Sequence, residues 1–272
     1  MSATNDIERS DRGGALTRRS LLTLIGTAGV AALGLPVAEA VTKTTKKATT
    51  TKKATTNKPS VTSPVAVAAS KVCILTPEQE QGPFYVELPK VRSDITDGRL
   101  GVEMTLRITV VDPVTCMPIA NAAVDIWHAD AAGSYSTNGG SEAFFLRGVQ
   151  LTGADGMATF TSIFPGWYPR RTNHIHVKVR VDGAVGGATY NGGHTSHTGN
   201  IFFEESVATR IAGLEPYRSN FVQRTSLTAD FVYQRQNGAQ VIATSTAQGG
   251  GYVTSIVLGV DPKATRSLIG IR

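Results

Sequence analysis

The chain has 272 residues, with 27 Lys and Arg against 21 Asp and Glu, so its formal net charge is +6. Two Cys are too few for a disulfide-rich scaffold or a Cys-rich zinc module, whereas 41% hydrophobic residues suffice for a core. Residues 61–272 carry 17 basic and 17 acidic side chains, and this balance argues against a nucleic-acid-binding body.

Residues 1–40 have the pattern of an export signal. Arg18 and Arg19 precede an apolar run, Leu21–Ala38, and the segment Ala38–Ala40 is an A-x-A-like cleavage site. The alternative is a transmembrane anchor, for which an 18-residue run containing three Gly is marginal. We therefore expect a twin-arginine signal peptide, a protein exported to the envelope or medium, and no stable membrane insertion.

Residues 41–70 form a Lys- and Thr-rich segment without apolar periodicity. Six Lys and no acidic residue lie in 41–60, and Lys46–Thr50 is repeated as Lys52–Thr56. Such a segment cannot bury a core, which predicts a disordered linker. The alternative is a tail that binds anionic polymers weakly.

Residues 71–272 are predicted to form one mainly β domain. Short strands separated by Gly and Pro turns favour a single antiparallel β-sandwich with short helices and long loops. The predicted strands are Val102–Val111, Ala122–Ala129, Met157–Phe164, His174–Asp182, Ile201–Phe203 and Tyr252–Leu258. The predicted helices are Glu204–Ala212 and Ser226–Tyr233.

His174 and His176 are candidate metal ligands. Residues i and i+2 of a strand point to the same face, so both imidazoles project together. An HxH pair alone also fits an ordinary polar strand face. No Asp or Glu lies within six residues on the N-terminal side, which disfavours a local two-His-one-carboxylate site.

Five short motifs occur in the body of the chain. They are WHADAAGSY (127–135), PGWYP (165–169), RTNHIH (171–176), LTPE (75–78) and QGPFY (81–85). Together they resemble the intradiol ring-cleavage dioxygenases, the family of protocatechuate 3,4-dioxygenase and catechol 1,2-dioxygenase, over about residues 73–205.

The resemblance implies a set of site residues. Tyr135, Tyr168, His174 and His176 would bind one non-haem Fe(III). Tyr168 would also leave the metal and act as a base, and Arg171 would stabilise developing negative charge. A pocket wall would be formed by Gly82, Pro83, Phe84 and Tyr85.

The resemblance also implies an activity. The enzyme would be an oxidoreductase of aromatic catabolism that cleaves a catechol-type diol with both atoms of O₂, giving a cis,cis-muconate-type product. Two phenolates and a hydroxide would balance the charge of Fe(III), which lowers the cost of burying the site.

Asn200 departs from the family pattern, in which Gln commonly precedes the apolar strand after HxH. We expect its amide to act beside Arg171 in catalysis. Cys73 and Cys116 are predicted to form a disulfide, because exported Cys pairs are usually bridged. His128 is expected to pack, and His194 and His197 are placed in a Gly-rich loop at 191–200.

Two other functions remain open from the residues. One is a non-catalytic, transthyretin-like β-sandwich that binds carbohydrate or protein at the cell surface. The other is a zinc or copper hydrolase using the His pair. The sequence does not predict the oligomeric state.

Overall fold

The computed structural model describes residues 73–88, 90–136 and 144–266. The predicted export signal and linker lie outside these residues. The mainly β fold is confirmed. The described strands are β1 (Glu103–Val111), β2 (Ala123–Trp127), β3 (Arg147–Leu151), β4 (Met157–Ile163), β5 (His174–Gly186), β6 (Thr189–Phe203), β7 (Ile242–Gln248) and β8 (Gly251–Gly259). The helices are α1 (Glu205–Ala212) and α2 (Phe231–Arg235), and within the described ranges neither has the length and apolarity to cross a bilayer.

Three local predictions differ from the structure. The sequence pattern missed β3, which is short and contains Gly148, and β7, which is largely polar. Residues 191–200 belong to β6 rather than to a loop, because they pair with β5 in a long hairpin. The single helix predicted at Ser226–Tyr233 is a 3₁₀ turn followed by α2, since Asp230 adopts an extended conformation between them.

The strands form one sheet in the order β3-β2-β5-β6-β7-β8-β1-β4. Most neighbouring strands pair antiparallel, as predicted, but the sheet is mixed because β1–β8 and β6–β7 are parallel. Strand β7 follows β6 only after a long connection that contains α1 and α2, and a crossover of that length permits parallel pairing.

The two four-stranded halves of the sheet share one hydrophobic core. Ile175 and Val177 of β5 belong to the same buried cluster as Leu106 and Ile108 of β1, so the halves face each other as the layers of a sandwich. Side chains alternate along a strand. The intervening histidines of β5 therefore point to the opposite face.

The segment before β1 crosses this opposite face and is anchored at both ends. Cys73 and Cys116 form a disulfide with Cα atoms 5.5 Å apart, and Leu75 bridges to Gly259 of β8. At the other end, Val91 bridges to β3 and Asp94 bridges to β4. The intervening residues are thereby held over the histidines.

Candidate metal centre

Two tyrosines and two histidines, all four predicted as ligands, meet under the covering segment. Nε2 of His174 lies 3.2 Å from Nε2 of His176 and 3.3 Å from the Tyr168 hydroxyl. The Tyr135 ring centroid is 5.7 Å from that of Tyr168 and 6.2 Å from that of His176. The arrangement directs two imidazole nitrogens and two phenols toward a common point.

Tight loops hold the two tyrosines. Tyr135 follows a turn in which the Asp130 carboxylate accepts hydrogen bonds from the backbone N–H groups of Ala132 and Ser134. Tyr168 lies in the β4–β5 loop, where the Asn173 amide donates to the Pro165 carbonyl at 2.8 Å. The position of each tyrosine ring is therefore set by the hydrogen-bonded loop that carries it.

His174 is prepared to donate a lone pair. Its Nδ1 lies 2.6 Å from the carbonyl oxygen of Thr172, which can only accept, so Nδ1 carries the proton and Nε2 is free to coordinate. Burial lowers the pKa of both His174 and His176 well below the usual histidine range. Both imidazoles are therefore neutral, as metal coordination requires.

The phenols need a nearby cation to ionise. Burial raises the pKa of Tyr135 well above its usual value and also raises that of Tyr168, although the Arg171 guanidinium opposes the second shift. A buried metal ion of high charge would reverse this preference and deprotonate them. In the described ranges, no group of three His, Cys, Asp or Glu is placed to hold a metal. The donor groups that meet here are two imidazoles and two phenols.

Position 82, which lies against the His176 ring, requires glycine. Its φ is +70°, and a Cβ at this position would lie 2.9 Å from Cε1 of His176. Any side chain here would be strained and would displace the His176 ring. The turn therefore brings backbone into contact with the imidazole and excludes water from that side.

Arg171 forms the polar wall of the site. Its Nε donates to Asp230 at 2.8 Å, its guanidinium donates to Asn200 at 3.1 Å, and it also donates to the Tyr168 hydroxyl at 3.3 Å. Asn200 lies opposite His176 in the β5–β6 register, and its amide also donates to the Glu80 carbonyl. The predicted pairing of Arg171 with Asn200 is present in this geometry.

A cleft of about 450 Å³ opens beside Tyr168 and Arg171. Its lining is Glu80, Pro83, Tyr168, Pro169, Arg170, Arg171, Phe231 and Arg235.

Of the four residues predicted as pocket wall, Pro83 lines this cleft. Phe84 instead stacks on Tyr135 with centroids 4.4 Å apart, and Tyr85 packs against Trp127 and donates a hydrogen bond to Asp125. Gly82 contacts His176. Gly82 and Phe84 therefore contact candidate ligand rings, whereas Tyr85 packs on Trp127, and none of the three lines the cleft.

Two residues at the site were not predicted from the sequence. Asp230 is fully buried, holds Arg171 and caps α2 by accepting from the backbone N–H of Val232. Glu80 is buried with its carboxylate 3.6 Å from Arg171. Its position two residues before Gly82-Pro83 could have drawn attention to it, whereas Asp230 gave only an ordinary helix-capping signal.

The remaining histidines serve the scaffold. His128 is fully buried between the Ala129 carbonyl and the Ser162 hydroxyl, and burial lowers its pKa to about 4. His197 is buried on β6 against Glu78, at 3.0 Å. His194 lies near the Pro262 carbonyl. None of the three reaches the candidate centre.

Comparisons with known proteins agree with the geometry. Residues 80–188 match a family model described as Dioxygenase. The solved structure of an intradiol ring-cleavage dioxygenase from Tetranychus urticae is 31% identical with a TM-score of 0.66, and the match covers 72% of this chain and 98% of that one. The dioxygenase domain of a dioxygenase and carbohydrate-binding protein fusion from Streptomyces sp. is 27% identical with a TM-score of 0.50, covering 69% and 99%.

A curated relative gives a similar result over a shorter span. A hydroxyquinol 1,2-dioxygenase from Rhizobium sp. is 32% identical over 176 residues, which cover 58% of this chain. The chain spans only 55% of that relative's length.

Proposed function

Because this chain belongs to the intradiol ring-cleavage dioxygenase family, we propose that it cleaves a catechol-type aromatic between its two hydroxyl-bearing carbons, consuming O₂. The product is a cis,cis-muconate-type dicarboxylate, and both oxygen atoms enter it. The observation that carries this proposal is the convergence of a buried phenol, a half-buried phenol and two neutral imidazoles beside one charged guanidinium.

We propose one non-haem Fe(III) as the cofactor, held by Tyr135, Tyr168, His174 and His176. The donor set fits a hard trivalent ion, because the anionic phenolate oxygens offset its charge in a buried site. When bound, the ion would act as a Lewis acid that makes the coordinated diol reactive toward O₂.

The chain's own groups orient the substrate and move its protons. Tyr168 faces the cleft and lies beside Arg171, so its phenolate is placed to accept a proton from an entering diol hydroxyl. Arg171 is fixed by Asp230 and Asn200, so it stabilises negative charge developing on the substrate without reorganising. Phe84 and Gly82 keep water from the opposite side of the ligands.

The substrate is proposed to be a small aromatic diol, with O₂ as the second substrate. Relatives named for catechol and hydroxyquinol cleavage support this chemical class. The comparisons do not favour the non-catalytic binding module, and the two phenols disfavour the zinc or copper hydrolase.

The first experiment is a visible spectrum and metal analysis of the purified protein, followed by oxygen uptake with catechol. We expect about one iron per chain, a broad phenolate-to-iron absorption band that shifts on anaerobic addition of catechol, and one O₂ consumed per catechol. The Tyr135→Phe variant should lose intensity in this band. A colourless protein after Fe(III) reconstitution, with no oxygen uptake, would contradict the proposal.

We also propose that the protein is exported through its twin-arginine signal. The pattern around Arg18-Arg19 and Ala38–Ala40 supports this localisation. N-terminal sequencing of protein from the envelope or medium should give a start after Ala40. A start at Met1 in that fraction, or retention of all the protein in the cytoplasm, would contradict export.

A further inference from the structure

A second pocket lies on the same face of β5 as the metal ligands. Lys178 and Arg180 continue the alternation that begins at His174 and His176, so the four side chains follow one another along one face. The pocket has a volume of about 220 Å³. Its lining is Tyr85, Glu87, Lys178, Arg180, Gly193 and Thr195.

The Lys178 side chain is buried and lines the pocket. The residue is only 4% exposed, and in the described ranges its ammonium makes no hydrogen bond and no ion pair. Its ammonium lies 3.5 Å from the centroid of the Tyr85 ring. An ammonium has three donors, and an acceptor bound in the pocket would give them hydrogen-bond partners.

Arg180 adds a second positive charge to the pocket. Its guanidinium lies 3.6 Å from the carboxylate of Glu87, a side chain that is 70% exposed and can move away at little cost. The other carboxylate near Lys178 is Asp125, its β2 partner in the strand register, which accepts the Tyr85 hydroxyl at 3.2 Å. The pocket therefore offers two cations, of which one holds a weakly bound carboxylate.

We propose that this pocket binds a small carboxylate anion, which bridges the Lys178 ammonium and the Arg180 guanidinium and displaces Glu87. The volume accommodates several heavy atoms, since one water occupies about 30 Å³ of liquid. A carboxylate fits because it supplies two acceptor oxygens, and the Glu87 contact already shows a carboxylate beside Arg180.

The pocket is separate from the cleft but adjoins the ligand shell. Tyr85 forms one wall of the pocket and packs on Trp127, with centroids 4.8 Å apart. Trp127 in turn stacks on His176 at 5.0 Å, with the rings 6° from parallel. Bound carboxylate would therefore contact the outer member of a stack that ends on a metal ligand.

The test is isothermal titration calorimetry of the iron-loaded full chain with sodium acetate, at constant ionic strength maintained with chloride. We expect saturable binding at one site. Both Lys178→Met and Arg180→Gln should weaken it about tenfold or more, because each removes a charge-assisted hydrogen bond. The exposed Lys263 provides a matched control, and Lys263→Met should bind as the unmodified protein does.

No saturation with acetate, or equal binding by the Lys178→Met variant, would overturn the proposal. Binding of inorganic phosphate without binding of acetate would overturn the carboxylate assignment. The Arg180→Gln variant keeps the test valid if Lys178→Met fails to fold.

Discussion

Arg171 is the residue on which the polar contacts of the cleft converge. Asp230, Asn200 and Tyr168 all accept hydrogen bonds from it, and the Glu80 carboxylate lies 3.6 Å away. A guanidinium that is hydrogen-bonded on several sides keeps one orientation. It can then stabilise negative charge on the substrate without first reorganising. The contributions of its neighbours can be measured one at a time.

Asn200→Ala should lower kcat for catechol about ten- to a hundredfold and leave the iron content unchanged. The variant loses a hydrogen bond to a charged group, worth about 1.5–3 kcal/mol, and Arg171 would lose one of its fixed positions. Steady-state kinetics and metal analysis measure the two effects. Asn191→Ala on the same strand is the control. An unchanged kcat would assign Asn200 to scaffold packing alone.

Glu80 is predicted to select against substrates with a carboxylate on the ring. Its carboxylate borders the cleft, and two like charges about 5 Å apart repel by about 3 kcal/mol at an effective dielectric of 20, before Arg171 offsets part of this. Glu80→Gln should raise kcat/KM for protocatechuate relative to catechol by roughly tenfold. Glu87→Gln, outside the cleft, is the matched control. An unaltered ratio would remove Glu80 from substrate selection.

At the level of elements, the pairing of β2 with β5 sets which groups face the covering segment. The register places Trp127 opposite His176 and Asp125 opposite Lys178. Trp127 stacks on His176, a candidate metal ligand, whereas Asp125 and Lys178 lie two residues further along the two strands. Because Asp125 is buried, its ionisation affects the stability of the folded state.

Asp125 should make folding less favourable as the pH rises. Burial raises its pKa to about 7, although Lys178 opposes the shift, whereas an unfolded Asp titrates near ~3.9. The folded state therefore keeps a proton that the unfolded state has lost, and the stabilisation present below about pH 4 disappears as the pH approaches 7. Chemical denaturation from pH 4 to 8 should show the native protein losing up to about 1.4 kcal/mol per pH unit relative to Asp125→Asn.

The exposed Asp155 gives the control for this measurement. Asp155→Asn should follow the native protein at every pH, because its carboxylate lies in a turn at the surface. A stability difference between native protein and Asp125→Asn that stays constant with pH would refute the argument.

Across the whole molecule, the covering segment joins the two halves of the sheet and closes over the candidate metal site. It begins at the disulfide and ends at the bridges to β3 and β4. Between these anchors it contributes Glu80 and Pro83 to the cleft. Site and fold stability therefore depend on the same stretch of chain.

Replacing both cysteines by Ser should destabilise the protein by up to about 4 kcal/mol. The bridge closes a loop with a sequence separation of 43, and its loss frees the unfolded chain. Thermal melting of Cys73→Ser/Cys116→Ser should show a lower midpoint, and adding a reductant should bring the native protein down to the same value. A reductant-insensitive native protein with an unchanged double mutant would contradict this role.

Sequence alone determined the features that depend on short-range periodicity and motif. The alternation around His174 and His176 fixes their common face, since a strand repeats every two residues, and the ordered motifs identify the family. Asp230 and Glu80 could not be assigned in the same way, because nothing local says that residues 59 and 91 positions from Arg171 will contact it.

Only the tertiary structure decided where the chain turns and which strands become neighbours. The parallel β1–β8 pairing joins segments far apart in sequence, and the turn at Gly82 places Phe84 against Tyr135 and Tyr85 against Trp127 instead of in the cleft. The burial of the Lys178 side chain likewise has no signature in the sequence. Long-range packing sets all of these features, because burial and contact depend on the whole fold rather than on neighbouring residues.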